Sequence, residues 1–172
     1  TEYLRSMFPL NVSEVVGHRI TNQIYEGLVK LNQKTLAVEP ALAHTIDISE
    51  DATVYTFQLR KGVRFHDDPC FPNGVGREVT ARDFEYCFRQ LLTPDGANKG
   101  FVFVKDRIKG GAAFYDANGT KTPDAPELPG VEVVDDYTFR LTLNEPFAAI
   151  EGILAMPFCQ VWPREAFETY GL

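Results

Sequence analysis

The chain has 172 residues, 44% apolar and 12% aromatic, with 17 basic against 24 acidic side chains and a formal charge of −7. A chain of this length buries roughly two thirds of the surface it exposes when unfolded, so a packed core is expected and disorder, collagen, coiled coil and disulfide miniprotein are excluded. Its Lys and Arg residues are scattered singly among acids, which speaks against a surface that tracks phosphates and hence against a nucleic-acid partner.

In chain order, residues 2–8 read as a strand that Pro9 ends. An amphipathic helix follows over 14–27. Ser13 is placed to cap it, Glu14 suits the positive end of its dipole, and Val16, Ile20, Ile24 and Leu28 recur every four residues as one apolar stripe. Residues 28–31 read as a further strand. Around Tyr55-Thr56-Phe57-Gln58-Leu59, and again around Tyr137-Thr138-Phe139-Arg140-Leu141, Tyr, Phe and Leu alternate with Thr, Gln and Arg. That alternation marks two half-buried antiparallel strands.

A second helix starts at Thr80 and stops before Pro94. Thr80 and Asp83 have capping-box spacing, and Phe84, Cys87, Phe88 and Leu91 form its apolar face, which makes Cys87 a small buried hydrophobe. Residues 106–116 read as a helix despite Gly110-Gly111, residues 118–129 as a proline-bearing connector, and residues 148–155 and 164–170 as helical pieces. Strands and helices do not alternate regularly, so the expected class is α+β.

Catalytic signatures are missing. The sequence holds no Gly-x-Ser-x-Gly elbow, phosphate-binding loop, dinucleotide fingerprint or His-Glu-x-x-His. His66-Asp67-Asp68, with Cys70 close behind, is the densest polar cluster. Neighbouring side chains of an extended segment point to opposite faces, which favours a turn held by carboxylates over a metal site. Cys70, Cys87 and Cys159 allow one internal disulfide at most, with the pairing open. No run approaches the ~20 apolar residues of a membrane span, and the first residues carry no signal-peptide pattern.

Several segments, taken together and in order, carry more. Asn22-Gln23-Ile24-Tyr25-Glu26-Gly27-Leu28 precedes Val38-Glu39-Pro40-Ala41-Leu42-Ala43. Then come Leu59-Arg60-Lys61-Gly62-Val63-Arg64-Phe65-His66-Asp67 and Val79-Thr80-Ala81-Arg82-Asp83-Phe84. Later stand Ile108-Lys109-Gly110, Asp136-Tyr137-Thr138-Phe139 and Pro163-Arg164-Glu165-Ala166-Phe167. The order resembles the extracellular solute-binding proteins of family 5, the oligopeptide and dipeptide receptors of ABC importers. One departure stands out: Asp68 and residues 69–76 replace the family's Phe-His-Asp-Gly and short link.

The resemblance implies the N-terminal portion of a type II periplasmic-binding-protein-like lobe with an inserted mixed α/β helper domain. Residues 1–29 and 158–172 would belong to the first lobe and 30–157 to the insert, with the second lobe outside this chain. It implies non-catalytic binding of a peptide or other small solute between two lobes, no cofactor and no metal. It also implies a membrane permease as partner and a monomeric state. The expected location is the periplasm or the outer face of the cytoplasmic membrane, free or lipid-anchored. In such families the stretch entering the first helix borders the cleft; carried over, it is Ser13, Glu14, Val15 and Val16. Capping by Ser13 and dipole compensation by Glu14 explain the same residues equally well, whereas Tyr25, Glu26 and Thr80 read as structural. Two other functional readings are a hydrolase using acids around His66–Asp68 and a docking module for membrane partners.

Overall fold

The two alternating segments pair with each other. In the computed structural model, which describes residues 6–95, 98–119 and 127–171, β4 (Val54–Leu59) and β6 (Thr138–Thr142) run antiparallel with Tyr55 opposite Leu141 and Phe57 opposite Phe139. The period of two therefore sends the same aromatic and aliphatic set from both strands into one layer. β3 (Ala43–Ile48) and β5 (Val131–Asp135) complete a four-stranded antiparallel sheet in the order β3-β4-β6-β5. A separate hairpin pairs β1 (Val29–Leu31) with β2 (Val38–Pro40).

Helix α2 (Ala81–Leu91) lies on the apolar face of the sheet. Phe84 and Phe88 approach Phe139 with ring centroids 5.9 and 5.6 Å apart, and Phe57 joins them at 6.2 Å. All four rings are at most 1% exposed. The helix starts where the sequence expects: Thr80 is the N-cap, and the Asp83 carboxylate accepts the Thr80 N–H at 2.8 Å. Ala81 N–H donates to Asp136 O at 2.8 Å, which pins the helix start to the β5–β6 turn.

The remaining helices are α1 (Val15–Ile24), α3 (Gly111–Gly119), α4 (Ile150–Leu154) and α5 (Arg164–Tyr170). Among the described residues most buried apolar side chains form one continuous cluster, from Phe8, Leu28 and Trp162 through to Phe57, Phe84 and Phe139. No helix among them is long and apolar enough to cross a membrane.

Several expectations need correction. Of the strand expected over 2–8, residues 2–5 lie outside the described residues and 6–8 form no strand; Phe8 leads into a short 3-10 helix at Pro9–Asn11. Helix α1 is shorter than 14–27, because Tyr25 is already extended and Gly27 is packed against the Val29, Cys159 and Leu154 carbonyls. Its buried positions are Gly17 and Thr21 rather than the apolar stripe; Val16 and Ile20 are half-buried and Ile24 is exposed. Thr21 Oγ1 donates back to Gly17 O at 2.6 Å, so its hydroxyl is satisfied within the helix and can be buried.

The helix expected over 106–116 begins only at Gly111, since Gly110 has φ +76° and the preceding residues form turns. Residues 120–126 of the expected connector lie outside the described residues. The helical piece expected over 148–155 is narrowed to α4, while that over 164–170 has the expected bounds.

Candidate functional site

The approach to α1 is held from below. Phe8, Pro9, Leu10 and Val12 are buried, and the Phe8 ring meets Trp162 edge-on at 4.9 Å and Phe167 at 6.1 Å. Val12 presses on Gly17 so closely that a Cβ there would stand 2.9 Å from Val12 Cγ1. Glycine at 17 thus allows the chain to fold back over the first helical turn. His18 Nε2 lies 3.4 Å from Val12 O and fastens the same return.

With Val12 fixed inward, the next residues form an edge. Ser13 and Val15 are exposed, Val15 at 60%, and Glu14 and Val16 are half-buried. Val12 and Glu14 have extended backbone, and α1's first-turn N–H groups are those that a helix cannot satisfy itself. An extended segment opening onto such N–H groups suits main-chain pairing with a peptide. Ser13 does not cap the helix. Glu14 occupies the N-cap position without a side-chain capping bond, and His18 N–H donates to Glu14 O at 3.0 Å. Both carboxylate oxygens of Glu14 are buried, one of them 3.4 Å from where a Cβ on Gly17 would stand, so its charge acts from behind the edge.

In the His66–Asp68 segment both carboxylates are engaged in hydrogen bonds that hold a loop. His66 is exposed. Asp67 Oδ1 accepts Gly76 N–H at 2.9 Å, while Asp68 Oδ1 accepts Cys70 N–H at 2.9 Å and the Tyr170 hydroxyl at 2.6 Å. The two carboxylates close the enlarged loop, whose tip places Asn73 and Gly74 at positive φ and stacks Phe71 on Phe65 with centroids 6.0 Å apart. The Tyr170 hydroxyl bond, then the Cys70 N–H, hold the Asp68 carboxyl below its ordinary value. Burial, then Asp68, push the Cys70 thiol up to about 11. Among the described residues no group of His, Cys, Asp and Glu is arranged to hold a metal.

All three cysteines are free thiols. Cys87 is buried as expected; its Sγ and the Trp162 N–H and C=O lie 3.4 Å apart, and burial pushes its thiol far upward. Two recesses flank the C-terminal end of α1. One, of about 460 Å³, is walled by Tyr25, Val63, Phe65, Phe71 and Val161. The other, of about 470 Å³, is polar and includes Asn22, Glu26, Lys30, Glu39 and Gln160. Neither recess has a local signal in the sequence, because segments far apart in the chain build its walls.

The family model described as "Bacterial extracellular solute-binding proteins, family 5 Middle" matches residues 37–170. Heme-binding protein A of Haemophilus influenzae is 36% identical over 145 residues, covering 84% of this chain and 24% of the relative. Di/tripeptide-binding protein 2 of Pseudomonas aeruginosa is 31% identical over 142 residues, covering 83% of this chain and again 24% of the relative. The structure of Listeria monocytogenes OppA bound to peptide superimposes with a TM-score of 0.78 at 31% identity, over 95% of this chain and 30% of that one. The chain therefore spans about a quarter of the length of these curated relatives, and its fold resembles the type II periplasmic binding proteins of the OppA kind.

Proposed function

Because this chain belongs to the bacterial extracellular solute-binding proteins of family 5, we propose that it forms part of a non-catalytic receptor that takes up a short peptide outside the cytoplasmic membrane. The receptor delivers that peptide to an ABC-importer permease. The observation that carries the reading is the edge at Ser13–Val16. Its Ser13 and Val15 are exposed, its backbone enters a helix start extended, and buried Val12 holds it against Gly17.

On this reading Ser13 and Val15 meet the ligand directly, Val16 packs behind them, and Glu14 contributes charge from beneath. Residues 1–29 and 158–172 belong to the first lobe, and 30–157 form an insert packed against it. Arg77 bonded to Glu165, and Cys87 against Trp162, then tie insert to lobe. A second lobe supplies the facing wall of the cleft. The receptor works as a monomer, in the periplasm or on the outer face of the membrane. No cofactor is needed, since peptide recognition rests on main-chain pairing and roomy, wet side-chain pockets.

The test is an NMR titration of the ¹⁵N-labelled chain with trialanine, with heme as the contrasting arm. Trialanine is expected to move the amides of residues 13–17 first, and Val15→Asp is expected to reduce those shifts while leaving the remaining spectrum in place. Shifts confined to other surfaces, or an edge that responds to heme and ignores trialanine, would overturn the assignment.

A further inference from the structure

The C-terminal end of α1 carries a feature that the ligand edge does not use. In the polar recess there, Gln160 is only 5% exposed, and its Nε2 donates to Asn22 Oδ1 at 2.9 Å. Its Oε1 is buried with no hydrogen-bond partner among the described residues. A buried amide oxygen left without a donor is costly, which makes it a place where an incoming N–H gains more than it would at the surface.

The electrostatics of the recess specify the donor's charge. Helix α1 ends with Tyr25 N–H on Thr21 O and no basic residue in its last turn. The carbonyls of Asn22, Gln23 and Ile24 therefore lie past the helix's own hydrogen bonds, at the negative end of its dipole. Glu26 and Glu39 add two carboxylates to the walls. Glu39 is engaged, with Lys30 Nζ at 3.9 Å and Asn32 Nδ2 at 3.0 Å. Glu26 is exposed and has no ion pair among the described residues, so it and the helix end leave an excess of negative charge.

We infer that this recess binds a small organic cation carrying N–H donors, an alkylguanidinium or a primary alkylammonium. A turn of the Gln160 amide brings its buried Oε1 to the recess wall, where one N–H of the ligand meets it, and the charge faces Glu26 and the last carbonyls of α1. Both properties are needed: the amide oxygen asks for a donor, and the helix end asks for a cation. The site lies at the opposite end of α1 from Ser13–Val16, about 15 Å away along a ten-residue helix. It stands or falls independently of the proposed peptide edge.

The probe is methylguanidinium, titrated into the ¹⁵N-labelled chain at constant ionic strength, with tetramethylammonium as a cation of equal charge that lacks N–H. Methylguanidinium is expected to shift the Gln160 side-chain amide and the Gly27 backbone amide along a saturating curve. Tetramethylammonium is expected to leave both in place. Gln160→Leu should weaken binding at least tenfold. Glu26→Gln, at an exposed position that the fold does not require, should weaken it severalfold with the spectrum otherwise preserved. Equal responses to the two cations, a curve that does not saturate, or unchanged affinity in Glu26→Gln would each overturn the inference.

Discussion

Arg77 illustrates how a single side chain can join distant segments. Its guanidinium bonds Asp83 at 2.6 and 2.9 Å and Glu165 at 2.6 and 2.9 Å, and stands 5.3 Å from the centre of the Phe65 ring. Asp83 is 3% exposed. Removing the cation strands that carboxylate, whereas the outer side of Arg77 stays wet and moderates the loss. Arg77→Met is expected to cost about 2–3 kcal/mol, read as a lower urea midpoint.

The pH dependence follows from Glu165. Its hydrogen bond to Arg77 holds its pKa below the ordinary carboxylate value. A depressed folded value contributes stability that is complete above the unfolded value of roughly 4.3 and fades as pH falls through the lower folded one. Stability should therefore drop more steeply between pH 5 and about 3 in the native chain than in Arg77→Met, in urea titrations at each pH. Tyr170 supplies a spectroscopic counterpart. Its bond to Asp68 pushes the phenol up to about 12, so Tyr170→Phe should remove one high-titrating tyrosine from an ultraviolet titration.

At the scale of elements, Phe139 marks where the sheet and α2 depend on each other. It is fully buried and faces Phe57, Phe84 and Phe88. Phe139→Ala is expected to cost about 3–5 kcal/mol, visible as a large fall in melting temperature. The elements legible in the sequence are those whose pattern is local: α2 from its capping box and apolar face, β4 and β6 from their alternation, and α5 with its bounds. α1 misled because its apolar stripe is a regular feature of the sequence, while close packing selects Gly17 and Thr21, residues without apolar bulk. The short β2 and the edge strand β3 had no signal of their own. β3 shows only Ala43 fully buried and His44, Thr45, Asp47 and Ile48 exposed, so its place comes from pairing with β4. The Ser13–Val16 stretch is legible only through family resemblance, whereas Gln160 has no local signal and gains its partner Asn22 only through folding.

Across the whole molecule, one core cluster carries both the approach to α1 and the aromatic layer of the sheet, and the family membership sets the receptor reading in which the proposed edge is used. The acids near His66 are spent on a loop, and the buried aromatic residues tie the approach to α1 to the far end of the chain. On the proposed reading, the peptide lies between two bodies and this chain furnishes one of its walls. Much of a bound peptide would then remain in water, and the cost of immobilising it would not be recovered. The most direct measurement is isothermal titration of a defined mixture of di- and tripeptides into the 172-residue chain. The predicted result is a dissociation constant weaker than about 1 mM. Saturating, one-to-one binding at about 1 μM would contradict a shared cleft, because it would require a complete peptide site within this chain alone.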